Sequence, residues 1–105
     1  MVIKYDADID SVAIQANIKR LTNQIYKLLP NREEGENWQK PLATIIEELA
    51  GMDRLLYETH ETLFCLMSKL EGLYTLTGED DFFEYRRTIF DCLNLISELK
   101  KQCQD

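Results

Sequence analysis

Residues 42–73 read LATIIEELAGMDRLLYETHETLFCLMSKLEGL, and the spacing of their apolar side chains decides how the chain is expected to fold. Leu42, Ile45, Leu49, Met52, Leu56, Thr59, Leu63, Leu66, Leu70 and Leu73 recur at alternating steps of 3 and 4. That is the period of one face of an α-helix. The phase passes through Gly51 without a slip, and a true break usually resets it. The spacing therefore predicts one continuous helix over residues 40–76, with Pro41 in a first turn where its missing N–H costs little. Gly51 weakens such a helix by about 1 kcal/mol relative to alanine, or permits close helix contact. Ile46, Leu55, Phe64, Met67 and Tyr74 widen the stripe, which points to packing against more than one neighbour.

On the N-terminal side, Ile14, Ile18, Leu21, Ile25 and Leu28 follow steps of 4 and 3 and predict a helix over residues 11–29. Asp10 is the expected N-cap, with Ile9 in the staple position, and residues 1–10 form an arm. Pro30 is expected to end the helix, because proline disfavours the helical conformation in the residue before it. A polar connector follows to Gln39, containing Glu33, Glu34, Gly35 and Glu36. Trp38, the one tryptophan, is expected to plug an end of the bundle; its alternative role is a partner-binding anchor.

On the C-terminal side, Gly78 suits a left-handed position that stops the middle helix. Thr77 with Asp80 resembles a capping box for the next one, and Glu79, Asp80 and Asp81 sit where a helix start favours negative charge. The third helix is predicted over residues 81–102, with Phe82, Tyr85, Ile89, Leu93, Ile96 and Leu99 inward. Lys100 and Lys101 close it at the end that favours cations.

These elements predict a single all-α domain over residues 11–105, an elongated three-helix bundle with a long central helix. At 1.5 Å per residue the helices would be about 28, 55 and 33 Å long. Short connections make both outer helices antiparallel to the middle one, which outruns each and leaves much of its apolar stripe bare. Antiparallel homodimerisation is the expected closure. The alternative is a monomer whose middle helix bends at Gly51. The first helix carries Lys19, Arg20 and Lys27 but no acid between Ser11 and Leu29, whereas the middle stretch carries Glu47, Glu48, Asp53, Glu58, Glu61 and Glu71. These opposite fields favour pairing the two.

Composition narrows the function. In 105 residues there are 19 acids against 12 bases, a net charge of −7, with 45% hydrophobic residues. The acidic balance argues against an extended nucleic-acid-binding face, since phosphates are contacted chiefly by clustered Lys and Arg. No apolar run approaches the roughly 18 residues of a membrane span, and no signal peptide is evident, so a cytoplasmic chain is expected. Three cysteines, Cys65, Cys92 and Cys103, form no CxxC pair; Cys65 and Cys92 read as small core residues and Cys103 as a free thiol.

Few residues are spaced for chemistry. Glu58 with Glu61, and Asp81 with Glu84, are carboxylate pairs of the kind that hold Mg²⁺ in helical nucleotide hydrolases. In a hairpin turning at Gly78, however, Glu61 lies about 25 Å from the turn and Asp81 beside it. The single histidine, His60, excludes a di-iron bundle, which needs two Glu-x-x-His units. Arg54 and His60 are separated by five residues, a spacing that resembles the Arg-x(4–6)-His motif of HEPN-type ribonucleases. The resemblance implies Arg54 as phosphate-positioning and His60 as the proton-transfer group. Leu55 replaces the family's polar residue after the arginine, and six helical steps turn the two side chains apart by about 120°. No P-loop, dinucleotide fingerprint or nucleophile triad is present, so neither cofactor nor metal is expected.

The expected function is a non-enzymatic protein–protein interaction module: an adaptor, assembly factor or inhibitor acting on a protein partner. Its candidate binding residues are Trp38, Glu33, Glu34 and Glu36 in one connector, and Glu79, Asp80, Asp81 and Glu84 at the next. An inhibitor that mimics nucleic acid through these acids could come from a phage or plasmid. The alternatives are a HEPN-like ribonuclease and nucleotide or small-molecule binding at an oligomer interface.

Overall fold

The computed structural model describes residues 11–53 and 61–102. The expected arm with its Asp10 cap, and Cys103, lie outside the described residues. Within them the chain forms α1 (Ser11–Glu33), α2 (Gln39–Asp53), α3 (Glu61–Gly72) and α4 (Phe82–Gln102), with short 3-10 turns at Leu73–Thr75 and Glu79–Asp81. The all-helical expectation stands. The expectation of three helices does not.

The continuous middle helix is replaced by α2 and α3, which pack against each other as antiparallel neighbours. Cross-links along the bundle fix the directions. Arg20 on α1 meets Glu48 on α2 at 3.0 Å. Gln15, near the start of α1, donates to the Lys100 carbonyl near the end of α4, and the Tyr85 hydroxyl donates to Leu28. On the other side of α4, Gln102 donates to Thr62 and Lys69 meets Asp91 at 3.5 Å. Each helix is therefore antiparallel to the next, and α4 closes the ring against α1.

Gly51 is not the hinge, for α2 runs through it to Asp53 with the glycine exposed. The leucine phase misled because two helices facing one core need the same spacing on either side of their connector. A rod would have left half of the stripe in water. Folding back buries Leu42, Ile45, Leu49, Met52, Leu63, Leu66, Leu70 and Leu73 within one chain. Each such side chain contributes about 1.5–3 kcal/mol to the folded chain. Leu55, Leu56 and Thr59 lie outside the described residues.

Sequence periodicity placed the core well. Ile14, Ile18, Leu21, Ile25 and Leu28 on α1, and Tyr85, Ile89, Ile96 and Leu99 on α4, are all buried. Phe82 and Leu93 are only half-buried, and Cys92 joins the α4 core. Ile46 and Met67 pack against the core edge, while Phe64 and Tyr74 are exposed. Cys65 departs from expectation and is exposed, because Leu63, Leu66 and Leu70 turn the other face of α3 inward.

Helix α1 also runs past Pro30 to Glu33. The stop is Gly35. Its N–H donates to Arg32 O, the Glu36 N–H reaches Asn31 O, and its φ is +74°. This is a Schellman cap with glycine in the left-handed position. The proline removes one helical hydrogen bond near the end of the helix but leaves the final turn intact. Asn37 then caps α2, its Oδ1 accepting from the Gln39 and Lys40 N–H groups. At the start of α4 the expected Thr77–Asp80 pair is displaced by one residue: the Asp81 carboxylate accepts from the Gly78 N–H at 3.0 Å. Gly78 is extended there, at φ −80° and ψ 160°, rather than left-handed.

Candidate functional site at the acidic end of the bundle

Antiparallel packing places the α1–α2 and α3–α4 connectors at the same end of the molecule. Arg32, in the last turn of α1, ties them together. Its guanidinium donates to the carbonyls of Leu76 and Gly78. It also lies 4.4 Å from the Tyr85 ring centre and 5.7 Å from those of Trp38 and Phe82. Planar, delocalised and weakly hydrated, a guanidinium suits such an aromatic setting better than an ammonium does.

Trp38 is buried, with 6% of its surface accessible. It meets Tyr85 edge to face at 5.0 Å and stacks on Tyr74 at 6.5 Å. It therefore plugs this end of the core rather than projecting as an anchor. Tyr85 is fully buried, with its hydroxyl held by the Leu28 carbonyl. Burial pushes its phenol well above the usual range, and Arg32 pulls only partly the other way.

An open groove of about 980 Å³ lies over this aromatic floor, lined by Glu33, Glu36, Trp38, Glu79 and Phe82 among others. Glu33 and Glu36 of one acidic group and Glu79 of the other, separated in sequence by more than forty residues, thus share one rim. Glu33, Glu34, Glu36, Glu79, Asp80 and Glu84 are exposed, but Glu84 lies beside Phe83, Arg86 and Arg87 rather than in this groove. Asp81 is half-buried and engaged in the Gly78 cap, which makes it the most structural of the set. Arg32 is the residue that sequence reasoning missed. Its signal was modest: a basic residue in the last turn before a left-handed glycine.

The remaining candidates do not converge here. Arg54, Glu58 and His60 lie outside the described residues, so the ribonuclease-like spacing has no geometry. Glu61 begins α3 at the opposite end from Asp81 and Glu84, which keeps it apart from that carboxylate pair. Among the described residues no three His, Cys, Asp or Glu side chains group to hold a metal ion. None of the described helices is long and apolar enough to cross a membrane. The chain matches no protein-family model, no curated protein and no solved structure.

Proposed function

We propose that this chain is a non-catalytic protein-interaction module, an adaptor, assembly factor or inhibitor, that receives a basic protein segment at its acidic end. The observation that carries the reading is the convergence of both acidic connectors on one groove. Exposed carboxylates around a partly apolar floor attract Lys and Arg side chains and desolvate their stems. Glu33, Glu36 and Glu79 supply the rim charge in this reading, with exposed Glu34 and Asp80 next to them in sequence, and Trp38 and Phe82 supply the floor. Such attraction chiefly raises the association rate and weakens with salt. No cofactor or metal takes part.

Self-association belongs to the same reading in altered form. The core is covered by its own chain, so a second copy is not needed to complete the bundle and would pair through the outer surface.

The test is paired affinity capture from the native host. One bait is the native chain and the other carries E33Q, E34Q, E36Q, E79Q and D80N, leaving the Asp81 cap and Glu84 in place. Basic proteins held by the native bait, released by salt and absent from the neutral bait support the reading. The same proteins retained by both baits would overturn it.

A further inference from the structure

The outward face of α4 combines exposed aromatic rings with a charge order that matches its own reverse. Tyr85, Ile89, Cys92, Ile96 and Leu99 point into the core. Phe83, Arg87, Phe90, Asn94, Glu98 and Lys101 lie on the opposite, exposed face. Phe83 is 82% exposed and Phe90 43%, with the Arg86 guanidinium 5.3 Å from the Phe90 ring centre. The register of α1 against α4, with Leu28 beside Tyr85 and Gln15 beside Lys100, sets Tyr26 level with this patch, and Tyr26 is 58% exposed. Exposed Phe and Tyr mixed with Arg is the composition that marks protein interfaces.

We infer that this face docks a second copy of the chain, α4 against α4, antiparallel about a two-fold axis near residues 92–93. Charge complementarity selects that partner and that direction. Along the exposed side, α4 carries Glu84, then Arg87, then Glu98, then Lys101. Antiparallel pairing sets Arg87 opposite the partner's Glu98 and Glu84 level with the partner's Lys101, and the two-fold repeats both contacts. Parallel pairing would set Arg87 against Arg87 and Glu98 against Glu98. Neither Arg87 nor Glu98 is in an ion pair with another described residue, so both are available. Phe90 of each copy sits near the centre of the seam.

Charge also argues against a polyanion as the occupant. Two arginines flanked by Glu84 and Asp91, on a chain of net charge −7, suit a few matched carboxylates better than a phosphate backbone. In the antiparallel pair the two acidic ends point away from each other, about 40 Å apart and well beyond the screening length. The inference rests on the interaction-module reading but uses a separate surface. It leaves both grooves open, so the dimer presents two of them.

Sedimentation equilibrium on the full chain tests this. A seam on one helix is smaller than a standard interface, so the mass should rise toward twice that of the monomer between about 1 and about 100 µM. R87E or E98R alone should weaken the dimer roughly tenfold, and R87E/E98R together should restore it. F83S/F90S should be monomeric with an unchanged helical circular dichroism spectrum. A monomer throughout the range, a double charge swap no better than its singles, or an F83S/F90S dimer as strong as the native one would each overturn the inference. So would a monomer that uses Arg87 and Phe83 to hold a fluorescent single-stranded RNA or an acidic peptide. None of these results bears on basic-partner capture at the acidic end.

Discussion

Arg32 illustrates how one side chain can set the geometry of a site it does not itself charge favourably. It binds two carbonyls of the α3–α4 connector and faces the Trp38, Phe82 and Tyr85 rings. Arg32→Ala should therefore destabilise the fold by about 2 kcal/mol in urea denaturation, and Arg32→Lys should recover less than half of that, since lysine lacks the planar fork. The thiols give a second residue-scale prediction. Cys92 is buried, and desolvation pushes its thiol from the ordinary 9.0 to about 12, with Lys69 pulling it down and Asp91 pushing it up. The folded state thus favours the neutral thiol. Its contribution is fully present below pH 9 and is lost progressively as pH rises from 9 toward 12. Tyr85 acts in the same direction. The urea midpoint should fall above pH 9, and less steeply in Cys92→Val. Iodoacetamide followed by peptide mass mapping should label exposed Cys65 in the native protein and Cys92 only after unfolding.

Glycines separate what an element tolerates from what it requires. Gly51 lies inside α2, exposed, with nothing within 4 Å of an added Cβ. Gly51→Ala should therefore stabilise the protein by up to about 1 kcal/mol, as entropy of the unfolded chain is removed. Gly35 also has open space, but its φ of +74° is one that a side chain strains to adopt. Gly35→Ala should cost about 1 kcal/mol and loosen the end of α1. For a domain of this size calorimetry should show shifts of roughly 4–8 °C in opposite directions. The two residues also show why helix ends were harder to read than helix faces. Apolar spacing is written into local sequence, whereas Pro30 offered a stop that the chain passed over and Gly35, five residues on, supplied the real one. Near a C-terminus a proline removes one hydrogen bond, while a Schellman glycine satisfies several orphan carbonyls at once.

At the scale of the whole molecule, charge at the acidic end should be separable from stability. The exposed carboxylates Glu33, Glu34 and Glu36 are in no ion pair with another described residue, so E33Q/E34Q/E36Q should melt within about 0.5 kcal/mol of the native protein. Asp81→Asn, in contrast, should lose up to about 1 kcal/mol with its cap on Gly78. Sequence by itself determined the helical class, most of the inward residues of the described helices though not Cys65, the opposite charges that pair Arg20 with Glu48, and the identity of the acidic groups. Those properties follow from spacing and composition, which are local. Only the tertiary structure decided that the stretch from Leu42 to Leu73 folds into two helices, that Arg32 joins two connectors, and that acids far apart in sequence share a groove. Periodicity records which side of a helix avoids water but not what covers it, and the cover was chosen by the free energy of burying α2 and α3 against each other within one chain.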